Sequence, residues 1–314
     1  MIALALLSLV ACSSGPTPTH GAPPADAPPA VQHVKLALNW VPEPEFGGFY
    51  QGVVSGSYAK AGFDVEIMPG GPGAPTLELL ASGQADAAIS AADDLLLKRS
   101  KGVSAIGVWP AFQLSPMGLM AHPEQGLTSF ADIHGGKLAL EVGGPLQRFL
   151  WKKYAWEGKV EMIPTTGSIA TWLNDPTLAQ QAYITAEPCA VKAKGAESVF
   201  LKASDAGWNP YGTLLAFSDP PPAWAPAFVK ATEEAWTAYL ADPTAANAEI
   251  GKLNDQLTPE TLACVTEAQK PFATGTDGLG KMTQARWDEL VSAMISIDLL
   301  PAGSTAQGAW KTLP

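Results

Sequence analysis

The residues best suited to binding chemistry lie at positions 39–50, where the sequence NWVPEPEFGGFY combines four aromatic rings, two carboxylates and two adjacent glycines. Aromatic faces stack on planar rings, carboxylates accept hydrogen bonds from N–H groups, and glycine permits close backbone approach. The segment follows a predicted strand, at the end where open α/β sheets bind ligands. We therefore expect ligand contacts from Asn39, Trp40, Glu45, Phe46, Gly47 and Tyr50.

Burial in the core competes with this interpretation for some of the rings. Phe49 and Tyr50 fall in a predicted helix, which must bury one face, so core packing and ligand contact are equally supported there. Trp40 lies in a loop next to prolines, and this location favours contact with a ligand.

Three shorter segments supply further candidates, namely SAADD at 90–94, YITAEP at 183–188 and WNPYG at 208–212. A cleft carboxylate and a charge that stabilises a helix N-terminus explain Glu187 equally well. Asp93 opens a predicted helix whose N–H groups suit a polar ligand atom, although an Asp there more often caps the helix. The further expected contacts are Ala91, Asp93, Gln113, Glu141, Glu187, Asn209 and Tyr211.

The chain lacks the sequence signatures of common catalytic and cofactor sites. It contains no Walker loop, no Gly-x-Ser-x-Gly elbow, no CxxC pair and no HExxH string, and its glycine-rich loop lacks dinucleotide-binding spacing. His122 and His134 each stand alone. We therefore predict no catalytic residue, no metal and no cofactor.

The N-terminal residues predict export and a lipid anchor. Residues 1–11, MIALALLSLVA, form an apolar run that is too short to span a bilayer and is typical of a signal peptide. No Lys or Arg precedes the run, which is unusual for such a signal, and a buried apolar N-terminus is the alternative. LVAC resembles a lipobox, which implies lipidation at Cys12, and residues 12–33 are rich in Pro and Ala and predict a disordered tether.

Charge and cysteine content narrow the class of partner. The formal net charge of −11 argues against a nucleic-acid partner, which would require clustered Lys and Arg. Cys189 and Cys264 are the cysteines beyond position 12. They would pair in an oxidising compartment, but we favour two separate small hydrophobic side chains, since their spacing does not decide the question.

Strand-like and helix-like segments alternate along the folded part of the chain. Residues 34–38, 63–67 and 85–90 have strand patterns, and helix patterns dominate from residue 223 onward. This alternation predicts an α/β fold with mainly parallel sheets. The number of strands favours two lobes joined by a hinge.

Together these segments resemble the type II periplasmic substrate-binding proteins of ABC transporters. The similarity is carried by LNWVPEPEFGGFYQG, YITAEP, NPYGTLLA and MTQARWDELVSAM, and extends over nearly all of the chain after the tether. The branch is that of binding proteins for the thiamine pyrimidine precursor, with alkanesulfonate- and nitrate-binding relatives. The resemblance implies a two-lobed fold with an interlobe ligand cleft, in which 34–115 plus 212–314 form lobe 1 and 116–211 form lobe 2.

The resemblance also implies a monomeric binding protein that delivers a small molecule to an ABC permease without reaction. Relatives that handle the pyrimidine precursor often carry a His where this chain has Phe46, and a related eukaryotic enzyme uses that His with Lys-held pyridoxal phosphate. Without the His, the chain is predicted not to be an enzyme. Its acidic, aromatic segments favour a planar neutral or cationic heterocycle over an anion. An enzyme acting on a similar heterocycle, a binder of sulfonate, nitrate or other aromatic solutes, and a scaffold protein are the alternatives.

Overall fold

The computed structural model describes residues 31–165 and 167–314. The predicted signal peptide, the predicted lipidation site at Cys12 and the predicted tether up to residue 30 lie outside the described residues. The first strand begins at Gln32, and the backbone N–H of Gln32 donates to the carbonyl of Gly62 at 2.9 Å. The last two residues assigned to the tether, Gln32 and His33, therefore belong to the folded domain.

Ten strands in the described residues form two sheets of five. In chain order they are β1 (Gln32–Ala37), β2 (Phe63–Met68), β3 (Ala87–Ser90), β4 (Ala105–Phe112), β5 (Met117–Ala121), β6 (Lys137–Leu140), β7 (Glu161–Pro164), β8 (Leu178–Tyr183), β9 (Val199–Lys202) and β10 (Gly212–Ser218).

Helices cover the faces of the sheets and make up most of the C-terminal part. They are α1 (Gly47–Val54), α2 (Ser57–Lys60), α3 (Thr76–Ala81), α4 (Ala92–Ser100), α5 (Pro145–Tyr154), α6 (Ala170–Asn174), α7 (Glu187–Ala193), α8 (Ala225–Ala241), α9 (Thr244–Leu253), α10 (Pro259–Thr274) and α11 (Gln284–Ser296). Short 3-10 helices occupy Pro44–Phe46, Pro123–Gln125, Phe130–Asp132 and Ala203–Ala206. In the described part of the chain, no helix has both the length and the apolar character needed to cross a bilayer.

The two sheets have related strand orders, β2-β1-β3-β10-β4 and β7-β6-β8-β5-β9. The predicted α/β class and two-lobed architecture are confirmed. As expected for mainly parallel sheets, four strands of each sheet run in one direction, and one strand in each sheet is reversed. Strand β10 runs antiparallel to β3 and β4, and β5 runs antiparallel to β8 and β9. Both exceptions are strands that enter a sheet from the other lobe, and an antiparallel strand needs no crossover helix on its new sheet.

The chain passes between the sheets twice within the described residues. The first passage joins Phe112, the end of β4, to Met117, the start of β5. The second follows the 3-10 helix Ala203–Ala206 and ends where β10 begins at Gly212. The lobe limits given above, 34–115 plus 212–314 and 116–211, remain a prediction.

Close aromatic packing fixes helix α1 on the first lobe. A Cβ on Gly47 would lie 2.0 Å from the ring of Tyr239, and one on Gly48 would lie 2.1 Å from the ring of Trp236. Both rings belong to α8 and are fully buried. The glycine pair thus allows two helices to approach closely, whereas the sequence suggested approach to a ligand.

One core cluster extends through both lobes. It includes Leu95 of α4, Leu150 of α5 and Trp287 of α11, all fully buried. Helix α11 packs against both α4 and α5, so the C-terminal helix contributes to the core of each lobe.

The cysteines form a disulfide between Cys189 in α7 and Cys264 in α10, with a Cα–Cα distance of 5.8 Å. The prediction that they behave as two separate hydrophobic side chains was wrong. The two residues are 75 positions apart, and the packing of α10 against α7 brings them together. That packing is a tertiary feature that the spacing of the cysteines does not encode.

Candidate functional site

Trp40 lies at the C-terminal end of β1 and is 37% exposed, and it is the one aromatic among the large exposed hydrophobic side chains of the described residues. Hydrogen bonding from its indole partly opposes the increase that burial causes in the pKa of the Glu43 carboxyl group. The loop is held on both sides, because the Trp40 carbonyl accepts from Gly70 N–H at 3.0 Å and the Asn254 amide donates to the Pro42 carbonyl at 3.0 Å. An exposed ring on a fixed loop is suited to stacking on a planar ligand.

The second lobe contributes the segment that joins β8 to α7. The backbone N–H of Tyr183 donates to Glu187 Oε2 at 2.8 Å, which holds this carboxylate at the start of α7. Two residues earlier, Thr185 Oγ1 donates to Glu45 Oε2 at 3.3 Å, and both residues are buried. Carboxylates from the two lobes therefore meet around the strand end of β8.

Burial and mutual repulsion raise the pKa values of these carboxyl groups. Burial raises the pKa of Glu43 to about 9, with further increases from the nearby charges of Glu45 and Glu187. Burial also raises the pKa of Glu45 to about 7, although the hydrogen bond from Thr185 opposes the increase. The pKa of Glu187 is raised as well, chiefly by burial. At neutral pH the site thus offers both protonated and ionised carboxyl groups.

Asp93, the second residue of α4, extends the acidic region. It is 7% exposed, and its Oδ1 has no hydrogen-bond partner in the described structure. Burial raises its pKa to about 6, and the charges of Asp94 and Glu141 add to the shift. Burial together with the negative charges of Glu45, Asp93, Glu141 and Glu187 also raises the pKa of Tyr183.

These side chains define an acidic cluster at the cleft. Its members are Glu43, Glu45, Asp93, Glu141 and Glu187. None of the ion pairs within the described residues includes a member of the cluster. In the same part of the chain, no group of His, Cys, Asp and Glu side chains is arranged to hold a metal ion. The cluster can therefore accept hydrogen bonds from N–H groups or balance a positive charge on a ligand.

Several other predicted ligand contacts are buried or half-buried in the structure. Phe46 and Tyr50 are buried in the core of the first lobe, and the Tyr50 hydroxyl has no partner in the described structure. Asn39 is half-buried with an unpartnered Oδ1, and Ala91 precedes the first residue of α4. Their contact with a ligand remains a prediction, as does that of Gly47.

The three remaining candidates, Gln113, Asn209 and Tyr211, surround the guanidinium group of Arg286 in α11. Arg286 Nε donates to the Asn209 carbonyl at 3.0 Å and Nη2 donates to Asn209 Oδ1 at 3.1 Å. The guanidinium carbon lies 3.8 Å from the centroid of the Tyr211 ring, and Nη1 donates to the Gln113 carbonyl. Arg286 therefore contacts both passages between the lobes, and these candidates lie at the hinge.

Sequence reasoning did not select four residues that the structure brings to the site or hinge, Glu43, Tyr183, Thr185 and Arg286. Glu43 and Thr185 lie inside the segments that were singled out, so their neighbours gave a usable signal. Arg286 lies in a helical pattern in which nothing distinguishes it from a solvent-exposed basic residue. Its role depends on where α11 packs.

Comparison with known protein families shows which family the chain belongs to. The family model described as NMT1/THI5 like matches residues 43–246, which is more than half of the chain and includes Glu43, Glu45 and Glu187. The chain belongs to the NMT1/THI5-like family. The predicted resemblance to type II periplasmic binding proteins is thereby confirmed.

Relatives of this NMT1/THI5-like protein include two binding proteins. The riboflavin-binding protein RibY of Chloroflexus aurantiacus is 27% identical, with 98% of this chain and 94% of RibY aligned. A formylaminopyrimidine-binding protein of Halalkalibacterium halodurans is 31% identical over 45% of this chain and 39% of that protein. Among solved structures, the periplasmic aliphatic sulphonate-binding protein SsuA of Escherichia coli matches with a TM-score of 0.66 at 14% identity, covering 90% of this chain and 93% of that one. This last likeness shows the periplasmic binding protein fold alone.

Proposed function

We propose that this chain is the solute-binding lipoprotein of an ABC importer, which captures a planar nitrogen heterocycle between its lobes and delivers it to the permease. The observation that carries the proposal is the acidic cluster beside the exposed ring of Trp40. A ring would stack on the indole, and the carboxyl groups would accept its N–H groups.

The charge of the cleft selects the class of ligand. The cluster has no basic partner in the ion pairs of the described residues, so an anionic ligand would bring a further negative charge next to buried carboxylates. Burial is the main cause of the raised pKa values of Glu43 and Glu45, and repulsion between carboxylates adds to it. A heterocycle with amino groups or a positive charge would relieve that repulsion. An aminopyrimidine such as a thiamine precursor has a planar ring that can stack on Trp40 and an amino group that can donate to the acidic cluster.

A flavin ring system is the second candidate. It is supported by the relative named as a riboflavin-binding protein, which aligns with 98% of this chain. A flavin also presents a planar face and an N–H group, so Trp40 and the acidic cluster are compatible with either ligand. Direct binding measurements with both compounds would distinguish them.

Export and anchoring belong to the same proposal. Residues 1–11 would act as the signal peptide, Cys12 would carry the lipid, and the following residues would tether the domain to a bacterial membrane. The Cys189–Cys264 disulfide supports an oxidising compartment. Mass spectrometry of the protein from membranes tests the anchor: the expected N-terminal residue is a diacylglyceryl-modified Cys12, and an unmodified Met1 would contradict it.

One fold can support both ligand capture and catalysis, so an experiment must distinguish the proposed binding protein from an enzyme. Purified protein would be incubated with an aminopyrimidine or riboflavin, with and without pyridoxal phosphate. Stoichiometric binding without product is expected, and turnover or formation of a Lys aldimine would favour the enzyme.

The decisive experiment identifies the ligand directly. Native mass spectrometry of the protein purified from its own host should show a bound heterocycle, and titration calorimetry with formylaminopyrimidine and riboflavin should show binding of at least one. An alkanesulfonate serves as the anionic control. Recovery or tight binding of a sulfonate, nitrate or another anion would refute the proposed ligand class.

A further inference from the structure

The disulfide joins helices that belong to different lobes. Cys189 lies in α7, which follows directly on β8 of the second sheet. Cys264 lies in α10, which follows β10 of the first sheet and packs against β4 and α9. Helix α10 is also anchored to the first lobe by Gln269, whose Nε2 donates to the Pro44 carbonyl at 3.1 Å and to the Tyr239 hydroxyl at 3.2 Å.

The bond lies beside the acidic cluster. Cys189 is two residues beyond Glu187 on α7, and α10 packs against the 3-10 helix Pro44–Phe46, which carries Glu45. The disulfide therefore fastens the helix that bears one cleft carboxylate to the helix that supports another. The hydrogen bond from Thr185 to Glu45 lies between the same two lobes.

A covalent bond at this place restricts hinge motion. The bond ties α7 to α10, so it limits any opening motion that would separate these two helices. A disulfide stabilises a folded protein largely by removing conformations from the unfolded ensemble. In the same way, removing open conformations of the cleft raises the relative population of the closed state.

We propose that the Cys189–Cys264 disulfide is a redox-sensitive latch on the cleft. When it is intact, it limits the separation of the lobes and slows ligand exchange. When it is reduced, α7 is free to move away from α10 together with Glu187. The effect on ligand exchange rests on the proposed function, whereas the effect on lobe separation does not.

The switch requires an external dithiol as reductant. A thiolate of the dithiol attacks one cysteine sulfur, the S–S bond breaks, and the other cysteine leaves as a thiolate that takes up a proton. The second thiol of the dithiol then resolves the mixed disulfide, which releases the remaining cysteine as a thiol and oxidises the dithiol by two electrons. Attack is expected at Cys264, which is half-buried, because Cys189 is only 3% exposed.

Lobe separation can be measured without any ligand. In the full chain, Lys60 and Lys159, both exposed, would be replaced by p-acetylphenylalanine and coupled to spin labels that do not react with thiols. Pulsed electron paramagnetic resonance would compare the oxidised protein with the same sample after dithiol treatment. A narrow distance distribution is expected before reduction, and a broader one that extends to longer distances is expected after it.

Two variants complete the distance experiment. The double variant Cys189→Ser/Cys264→Ser should give the broad distribution without a reductant. The matched control Cys12→Ser keeps the disulfide and should behave like the parent before and after reduction. If mass spectrometry shows two free thiols while the distance distribution is unchanged, the latch is overturned. A lower melting temperature with unchanged distances would mean that the bond only stabilises the fold, and would equally overturn it.

Ligand exchange is measured separately with riboflavin and formylaminopyrimidine as probes. Reduction should increase the dissociation rate of the bound probe by about tenfold, a size typical of coupling between a conformational change and binding. Equal dissociation rates for the oxidised and reduced proteins would contradict the latch. If neither probe binds the oxidised protein, the proposed ligand class fails, and the distance distributions alone decide the latch.

Discussion

Thr185 and Glu45 join the two lobes through a buried hydrogen bond of 3.3 Å from Thr185 Oγ1 to Glu45 Oε2. The two residues are 140 positions apart and follow the ends of strands in different sheets. The hydroxyl partly offsets the cost of burying the Glu45 carboxyl, whose pKa is raised to about 7. The two lobes thus supply a carboxyl group and its hydrogen-bond donor from opposite sides.

Substitutions at Glu187 and Trp40 should affect binding to different extents. Loss of a hydrogen bond to a charged acceptor costs roughly 1.5–3 kcal/mol, whereas stacking contributes roughly 0.5–1.5 kcal/mol beyond area burial. Glu187→Gln should therefore weaken binding more than Trp40→Phe, which keeps a ring. Trp40→Ala should cost more than Trp40→Phe because apolar contact area is lost as well.

Calorimetric titration with formylaminopyrimidine or riboflavin measures these differences. Melting curves serve as the folding control, and all three variants should remain folded, since Trp40 is 37% exposed and a glutamine can still accept from Tyr183 N–H. Parent-like binding by folded Glu187→Gln would show that Glu187 only stabilises the start of α7.

The ligand-free protein should become less stable as the pH rises from about 5 to 9. Glu43 and Glu45 ordinarily titrate near 4.5, but their folded pKa values are raised to about 9 and about 7. Between the ordinary and the raised values the folded chain holds protons that the unfolded chain has released, so its free energy of unfolding falls as the pH increases. Each kcal/mol lost should lower the melting temperature by about 2–4 °C in a protein of this size.

Thermal melts at a series of pH values test this dependence. Glu43→Gln carries no charge at any pH, so it should reduce the decline above neutral pH. A melting temperature that rises from pH 6 to pH 8.5 would contradict the raised pKa values. Glu234→Gln is a suitable control, because Glu234 lies at an exposed position of α8.

Gly48→Ala should destabilise the fold although alanine favours helices. The added Cβ would lie 2.1 Å from the ring of Trp236, which is fully buried and packs against the rings of Phe49, Trp109 and Phe112. Overpacking of this kind costs about 1–3 kcal/mol, more than the roughly 1 kcal/mol that alanine gains over glycine in a helix. Denaturant unfolding measures the difference, with Gly71→Ala as the matched control, because nothing lies within 4 Å of a Cβ at that position. Equal stability of the two variants would show that α1 and α8 can separate without cost.

Arg286→Lys should weaken the hinge while keeping the positive charge. A lysine cannot reproduce the guanidinium bonds to Asn209 and Gln113, and hydrogen bonds to charged groups contribute roughly 1.5–3 kcal/mol each. We expect a loss of about 2 kcal/mol in the free energy of unfolding. Arg148→Lys, which affects an exposed arginine with one hydrogen bond to the Gly143 carbonyl, should change stability by less than 0.5 kcal/mol. Similar losses in the two variants would show that Arg286 contributes no more than a surface arginine.

Local patterns predicted the parts of the fold that depend on neighbouring residues. The strand pattern at 63–67 is confirmed by β2, Phe63–Met68, and the pattern at 85–90 by β3, Ala87–Ser90. Strand β5 was not predicted, because MGLMA has no β-branched residue and no alternation of apolar and polar residues. The alternation is missing because the last four residues of the strand are all buried. The disulfide, the insertion of β10 and the position of Arg286 depend on packing between distant segments, for which a single sequence offers no periodic signal.

The position of β10 between β3 and β4 sets the order in which the chain can fold during synthesis. The strands of the second sheet all lie between β4 and β10 in sequence, so that sheet is fully translated before β10 emerges. Until then β3 and β4 lack the strand that joins them, and closing this gap requires a long-range pairing with a high entropic cost. Unpaired strand edges on a nascent chain invite association with other chains. The lobe that begins the polypeptide is therefore the one that finishes folding last.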